Sequence, residues 1–247
     1  MSFDYITNPN QGLGDCLSCF NTDKPIWSPS PHFQILRKYT SIPTLDAPKG
    51  VGLSVCDLID NEHLFNSVRQ ASGLEHLKEP KAILDLIKYE PIDNNVAFSF
   101  DVGAHAMNQL HMHPQARQLY DFHHETIQDF ISKNKDYNFI EVGNKSFGFK
   151  DVTQRTNVGL DYTIEILRKC KYYFGMHSGM MHLATAIGLK STIIINFPTI
   201  AKLLDPIRTI ENDKIWLYPQ HNYLHEDEIY GKFCITVRNL ETKVFGQ

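Results

Sequence analysis

No apolar run in this chain approaches the roughly 20 residues that a membrane-spanning helix needs. The opening residues, MSFDYITNPN, carry neither the basic patch nor the apolar stretch of a signal peptide. The cysteines number five, an odd count, and without a secretion signal that argues against a disulfide framework. Positive charge is not in excess: 24 basic residues face 28 acidic ones, a formal net charge of −4, so there is no general attraction to nucleic acid. Internal repeats, heptads and low-complexity tracts are also missing. These absences lead us to expect a cytoplasmic protein with at most peripheral contact at the inner face of a membrane.

What remains is ordinary globular material. The chain has 247 residues, 42% hydrophobic and 21% charged, enough to bury a sizeable core without staples. Length alone allows one large domain or two small ones. Cys16 and Cys19 form a CxxC pair. A redox reading needs a thioredoxin-like context and a zinc reading needs a second pair. A spacing of three on a helix instead puts both on one face as small buried hydrophobes.

The first half is the less regular. Gly50–Leu58 reads as a strand, and Asn61–Ala71 and Glu79–Lys88 show helical spacing of apolar residues. The polar segment Tyr89–Asn95, with its proline, is the best linker, and it sets expected domains at 1–92 and 93–247. Beyond it the pattern tightens. Strands are expected at Val96–Asp101, Phe139–Val142, Tyr172–Met176, Thr192–Phe197 and Lys214–Tyr218. Helices are expected at Pro114–Ser132, Asp161–Lys169, Met180–Ile187 and Ile200–Leu204. Strands alternating with helices imply βαβ crossovers and a parallel sheet.

The densest information lies between Lys171 and Pro198. A β-rich run meets the small-residue break His177-Ser178-Gly179, then a helix, then Gly188 and a second β-branched run. Such a turn puts free backbone N–H groups and a helix amino end at the carboxyl end of a strand, where phosphates are stabilised. Ligands of open α/β sheets bind at that edge. A second fragment, Asn8-Pro9-Asn10-Gln11-Gly12-Leu13-Gly14-Asp15, follows the short β-like Tyr5-Ile6-Thr7. Taken alone, its Asp15 reads better as a helix N-cap than as a functional carboxylate.

The histidines also cluster, at His105, His111, His113, His123 and His124. No carboxylate or cysteine completes a metal-binding spacing, and ten residues of helix separate the two ends of the group by about 15 Å. Solvent-facing or diphosphate-facing roles fit them better than a metal, and no metal site is expected.

The Lys171–Pro198 stretch resembles the core motif of the ADP-heptose:lipopolysaccharide heptosyltransferases, inverting glycosyltransferases of the GT-B fold. Ser178, Gly179, His182, Ala184, Ala186 and Gly188 fall in register with that pattern. Two positions depart: His177 stands where an acidic residue is usual, and Lys190-Ser191 replaces the proline region. The glycine loop ending in Asp15 resembles the family's opening loop, and His111, before His113-Pro114, falls where the family carries a diphosphate-binding lysine.

The resemblance implies an α/β fold of two Rossmann-like halves. The N-terminal, acceptor-side half would be reduced, and the C-terminal, donor-side half would be a parallel sheet flanked by helices. It implies Asp15 as general base on an acceptor hydroxyl, with Gly12, Leu13 and Gly14 forming the acceptor-side loop. It places the donor against Gly103, His111, His177, Ser178, Gly179, Met180, Met181 and His182. The implied partners are a nucleotide-diphosphate sugar as co-substrate and a glycan or lipid-linked acceptor, with no further cofactor. Two alternatives stay open: a non-catalytic nucleotide-sugar or carbohydrate-binding module, and a nucleotide-sugar epimerase of the same shape.

Overall fold

The computed structural model describes residues 3–58, 63–101, 124–195, 218–225 and 235–246. The expected strand over Lys214–Tyr218, the helix over Ile200–Leu204, and the positions Gly103, His105, His111, His113 and His123 fall wholly or largely outside these residues. The chain divides into two compact units. The first is built from residues 3–89, 182–188 and 218–220, and the second from the rest.

The second unit holds a six-stranded sheet. Its strands are β3 (Ile92–Ser99), β4 (Asn138–Gly143), β5 (Thr153–Thr156), β6 (Cys170–Met176), β7 (Lys190–Ile195) and β8 (Asn222–His225). They lie in the order β5-β4-β3-β6-β7-β8, and every neighbouring pair is parallel. β3 already begins at Ile92, so more than half of the segment read as linker is strand. Side chains alternate between the two faces. One face carries Val96, Phe98, Phe174, Met176, Ile194 and Leu224. These pack with Ile127, Phe130 and Ile131 of the His124–Lys133 helix and with Leu240 and Val244 of the Val237–Phe245 helix. Phe98 and Phe174, partners in register, stack with ring centroids 5.2 Å apart. The opposite face presents Ala97, Ser99, Tyr173 and Gly175, also paired across β3 and β6.

The first unit pairs β1 (Tyr5–Thr7) in parallel with β2 (Gly52–Ser54). Ile26 bridges Ile6 and Thr44, which widens this small sheet. The strand expected over Gly50–Leu58 is only three residues long and runs into a 3-10 turn at Val55–Leu58. The helix expected over Glu79–Lys88 is not formed. Pro80 removes a donor near its start, and the remaining amides bond outward. Ile83 N–H donates to the Phe20 carbonyl, and Leu86 N–H to that of Tyr39. Ala82 and Leu84 are buried on this extended path, which gives the apolar spacing a packing reason without a helix.

Candidate functional site

In the six-stranded sheet the chain first builds outward from β3 to β4 and β5. It then returns to the other side of β3 and builds β6, β7 and β8. The order is that of a Rossmann sheet, and the point where direction reverses lies between β3 and β6. Ligands of such sheets bind in the crevice outside the carboxyl ends of those two strands. Two pieces of sequence lie there: the Ser99-Phe100-Asp101 end of β3, and His177-Ser178-Gly179 after β6.

The nine-residue helix Gly179–Ile187 starts directly after the β6 turn. Met181 N–H donates to the Ser178 carbonyl at 3.0 Å, closing the first turn. The earliest amides of a helix have no intrahelical acceptor and carry its positive dipole end. Ser178, Gly179 and Met180 are half-buried, and Met181 is fully buried. His177 is half-buried, with its Nε2 turned inward.

On the β3 side, Asp101 N–H donates to Ser99 Oγ at 3.3 Å, and Asp101 Oδ2 accepts from the Asn144 N–H at 2.8 Å. The second bond ties the loop after β4 to the loop after β3. Gly143 closes β4 with φ +123°, and a side chain there would crowd Ser99 Oγ and Asp101 Cβ, each at 3.1 Å. The loop that follows is held from below by Glu141. This carboxylate is 1% exposed and accepts from Ser146 Oγ at 2.7 Å and Phe147 N–H at 2.8 Å. The segment Gly143-Asn144-Lys145-Ser146 thus forms a loop at the carboxyl end of β4.

His182 sits one turn further along the helix and belongs to the first unit's packing. It is buried, and its Nδ1 lies 2.6 Å from the Tyr218 hydroxyl. Phe65 and Tyr218 stand around it, and His63 packs on Tyr218 with ring centroids 4.6 Å apart. His63 caps the Leu64–Ala71 helix by accepting the Phe65 N–H at Nδ1, and burial pushes its pKa down to about 4.

Asp15 lies in the first turn of the Leu13–Ser18 helix, which follows β1. Gly12 occupies the N-cap position, so Asp15 is not the cap that its sequence also allowed. Its carboxylate is half-buried and accepts from Asn10 Nδ2 at 3.5 Å. Buried Asn8 braces the same loop, donating to Ser18 Oγ and accepting from Asn10 N–H. Gly12 is exposed, and Leu13 and Gly14 are half-buried. Cys16 and Cys19 are both fully buried, and burial pushes the Cys16 thiol up to about 12, as small core residues require. Gly103 and His111 fall outside the described residues. Among the described residues no group of three or more metal-capable side chains comes together.

Ser99, Asp101 and Tyr173 escaped the sequence reading. The only signal was the polar ending of an apolar run, Val96 to Asp101, and nothing in the sequence says which strand lies beside it.

No family model and no curated protein matches the sequence. Solved structures do. The structure of E. coli heptosyltransferase WaaC with ADP superposes with a TM-score of 0.62 over 96% of this chain and 95% of that one, at 8% identity. The chain has the heptosyltransferase-like glycosyltransferase fold. E. coli ADP-heptose lps heptosyltransferase II is similar at a TM-score of 0.51 and 10% identity, covering 97% of both chains. The iron-containing dodecameric glycosyltransferase TibC of enterotoxigenic E. coli H10407 is similar at 0.52 and 17% identity, over 77% of this chain. The chain spans 57% of the length of TibC. No described helix is long and apolar enough to cross a membrane.

Proposed function

We propose that this chain is an inverting glycosyltransferase that moves a sugar, heptose or a relative, from a nucleotide-diphosphate donor to an acceptor hydroxyl on a glycan. The observation that carries the reading is the coincidence of the Ser178-Gly179 turn with the reversal point of a Rossmann-ordered sheet, in a fold shared with WaaC. The donor's diphosphate lies against the Gly179 end of the helix, with His177, Met180 and the β3 loop beside it. Backbone amides and the helix dipole stabilise the leaving diphosphate as its bond to the anomeric carbon breaks. Asp15 takes the proton from the acceptor hydroxyl as that oxygen attacks from the opposite side, so the configuration inverts. The positive potential of the helix end serves where other transferases use a metal.

A nucleotide-sugar-binding module without chemistry is the second reading. His177 in place of an acidic residue and the two-stranded sheet of the first unit favour it. A thermal-shift screen across nucleoside diphosphates and nucleotide sugars tests the donor half. A ligand at 100 times its Kd adds about 2.7 kcal/mol of apparent stability. Release of nucleoside diphosphate that depends on an added glycan acceptor then separates transferase from module. Conversion of the donor with no acceptor present would identify an epimerase instead.

A further inference from the structure

A closed circuit of hydrogen bonds holds Asp15 at both its main chain and its side chain. Ser18 Oγ donates to the Asp15 carbonyl at 2.6 Å, and Asn8 Nδ2 donates to Ser18 Oγ at 3.2 Å. Asn8 Oδ1 accepts the Asn10 N–H at 3.0 Å, and Asn10 Nδ2 returns to Asp15 Oδ1 at 3.5 Å. The circuit is anchored in the core, since Asn8 is 1% exposed and Ser18 is fully buried. Cys56 joins it from the turn after β2. Its thiol donates to Asn8 Oδ1 at 3.7 Å, and its sulfur accepts from Asn10 Nδ2 at 3.8 Å. All five residues belong to the first unit.

A buried amide is costly unless its hydrogen bonds are made. Those of Asn8 are made, and both branches that leave it end on Asp15. Helix capping does not account for this. Asp15 is the third residue after the N-cap Gly12, where a capping box would turn its carboxylate back to the Gly12 N–H. The carboxylate accepts from Asn10 instead. Gly12 itself has φ −65° and ψ 156°, an extended backbone open to any residue. A Cβ there would lie 2.5 Å from Asp15 Oδ2. The second carboxylate oxygen thus lies beside the bare backbone of an exposed residue.

We propose that Asn10 is a positioning residue for sugar transfer. Its side-chain amide, set by buried Asn8 and by Cys56, holds Oδ1 of Asp15 and leaves Oδ2, beside Gly12, as the oxygen that takes the acceptor's proton. The proton moves to Oδ2 as the acceptor oxygen bonds to the anomeric carbon and the nucleoside diphosphate leaves with the bonding pair. This rests on the assignment of Asp15 as general base above. A base oriented before the acceptor arrives has less freedom to lose at the transition state, so the contribution falls on the chemical step and not on binding.

The test compares the parent with Asn10→Ala, Asn10→Gln, Asp15→Asn and the double variant Asn10→Ala/Asp15→Asn, with ADP-heptose as donor and methyl glycosides as acceptor probes. Asn10 is exposed, so both of its single variants are expected to melt within about 2 °C of the parent. Asn10→Ala is expected to lower kcat about 5- to 20-fold, with the acceptor KM within about twofold of the parent. Asn10→Gln keeps an amide and is expected to recover part of that loss. In the Asp15→Asn background, Asn10→Ala is expected to cost nothing further, because the base that it orients is gone. A parent kcat in Asn10→Ala overturns the inference and leaves Asp15 as the base. A raised acceptor KM at parent kcat also overturns it, making Asn10 a binding residue. So does a loss that multiplies with that of Asp15→Asn, because Asn10 would then act apart from the carboxylate. Transfer at the parent rate by Asp15→Asn, or none by the parent, overturns the general-base assignment and this inference with it.

Discussion

A Cβ at Gly175 would fall against the Ser99 carbonyl, with the Ser99 carbonyl carbon and N–H also within 3.1 Å. The obstacle is strand backbone, which cannot swing aside as a side chain can. Gly175→Ala is therefore expected to cost about 1–3 kcal/mol, the usual range for overpacking, read as a lower denaturant midpoint with an unchanged slope. His63 offers a different test. Its folded pKa, about 4, lies below the ordinary 6.5, because burial disfavours the imidazolium. The unfolded chain therefore binds more protons between those values. Stability is full above pH 6.5, falls as the pH drops toward 4, and levels off once both states are protonated. The whole window amounts to about 3 kcal/mol. His63→Asn keeps an acceptor for the Phe65 N–H but cannot titrate. Melting curves from pH 7 to 4.5 should show a shallower decline for that variant. An equal decline would place the acid sensitivity in other groups.

Elements with a buried neighbour on each side were legible from sequence, and edge elements were not. β3, β4, β6 and β7 are apolar runs because the sheet buries them, and each was expected within a few residues of its observed bounds. β5, Thr153-Gln154-Arg155-Thr156, is an edge strand with two exposed residues and one neighbour, so its side chains carry no apolar signal. β8 is the other edge, and its Asn222-Tyr223-Leu224-His225 reads as loop until β7 is beside it. Glu79–Lys88 failed in the opposite direction, because apolar spacing was present and Pro80 with outward-bonding amides decided the backbone. The Val237–Phe245 helix also went unread, although its ends carry local signals. Thr236 caps it by accepting the Asn239 N–H at 3.2 Å, and Gly246 closes it in the left-handed region. The Lys243 carbonyl near its end accepts from Thr192 Oγ and Asn222 Nδ2 and so ties the helix to β7 and β8. Thr236→Ala should cost about 1 kcal/mol in chemical denaturation. A loss below about 0.3 kcal/mol would mean that sheet contacts alone hold the helix.

At the scale of the whole molecule, the proposed chemistry is divided between the two units. Donor binding is assigned to the reversal point of the six-stranded sheet, and proton removal to Asp15 in the loop-and-helix after β1. Both stretches stand out in the sequence as short motifs, and the Rossmann order around the first became visible only with the strands assembled. The division supplies the deciding experiment. Asp15 is not the N-cap of its helix; its carboxylate accepts a long bond from Asn10 and its carbonyl accepts from Ser18 Oγ. Asp15→Asn keeps the size and should leave folding and ADP affinity at parent values. Transfer should fall by about 10²–10⁴-fold, the usual contribution of a general base. Affinity and rate then move independently, as two functions on two units require. Transfer at the parent rate would assign the base to another residue. A fall in ADP affinity together with rate would place Asp15 in the donor site. A lower melting temperature with binding and transfer intact would leave Asp15 a purely structural residue of the Leu13–Ser18 helix.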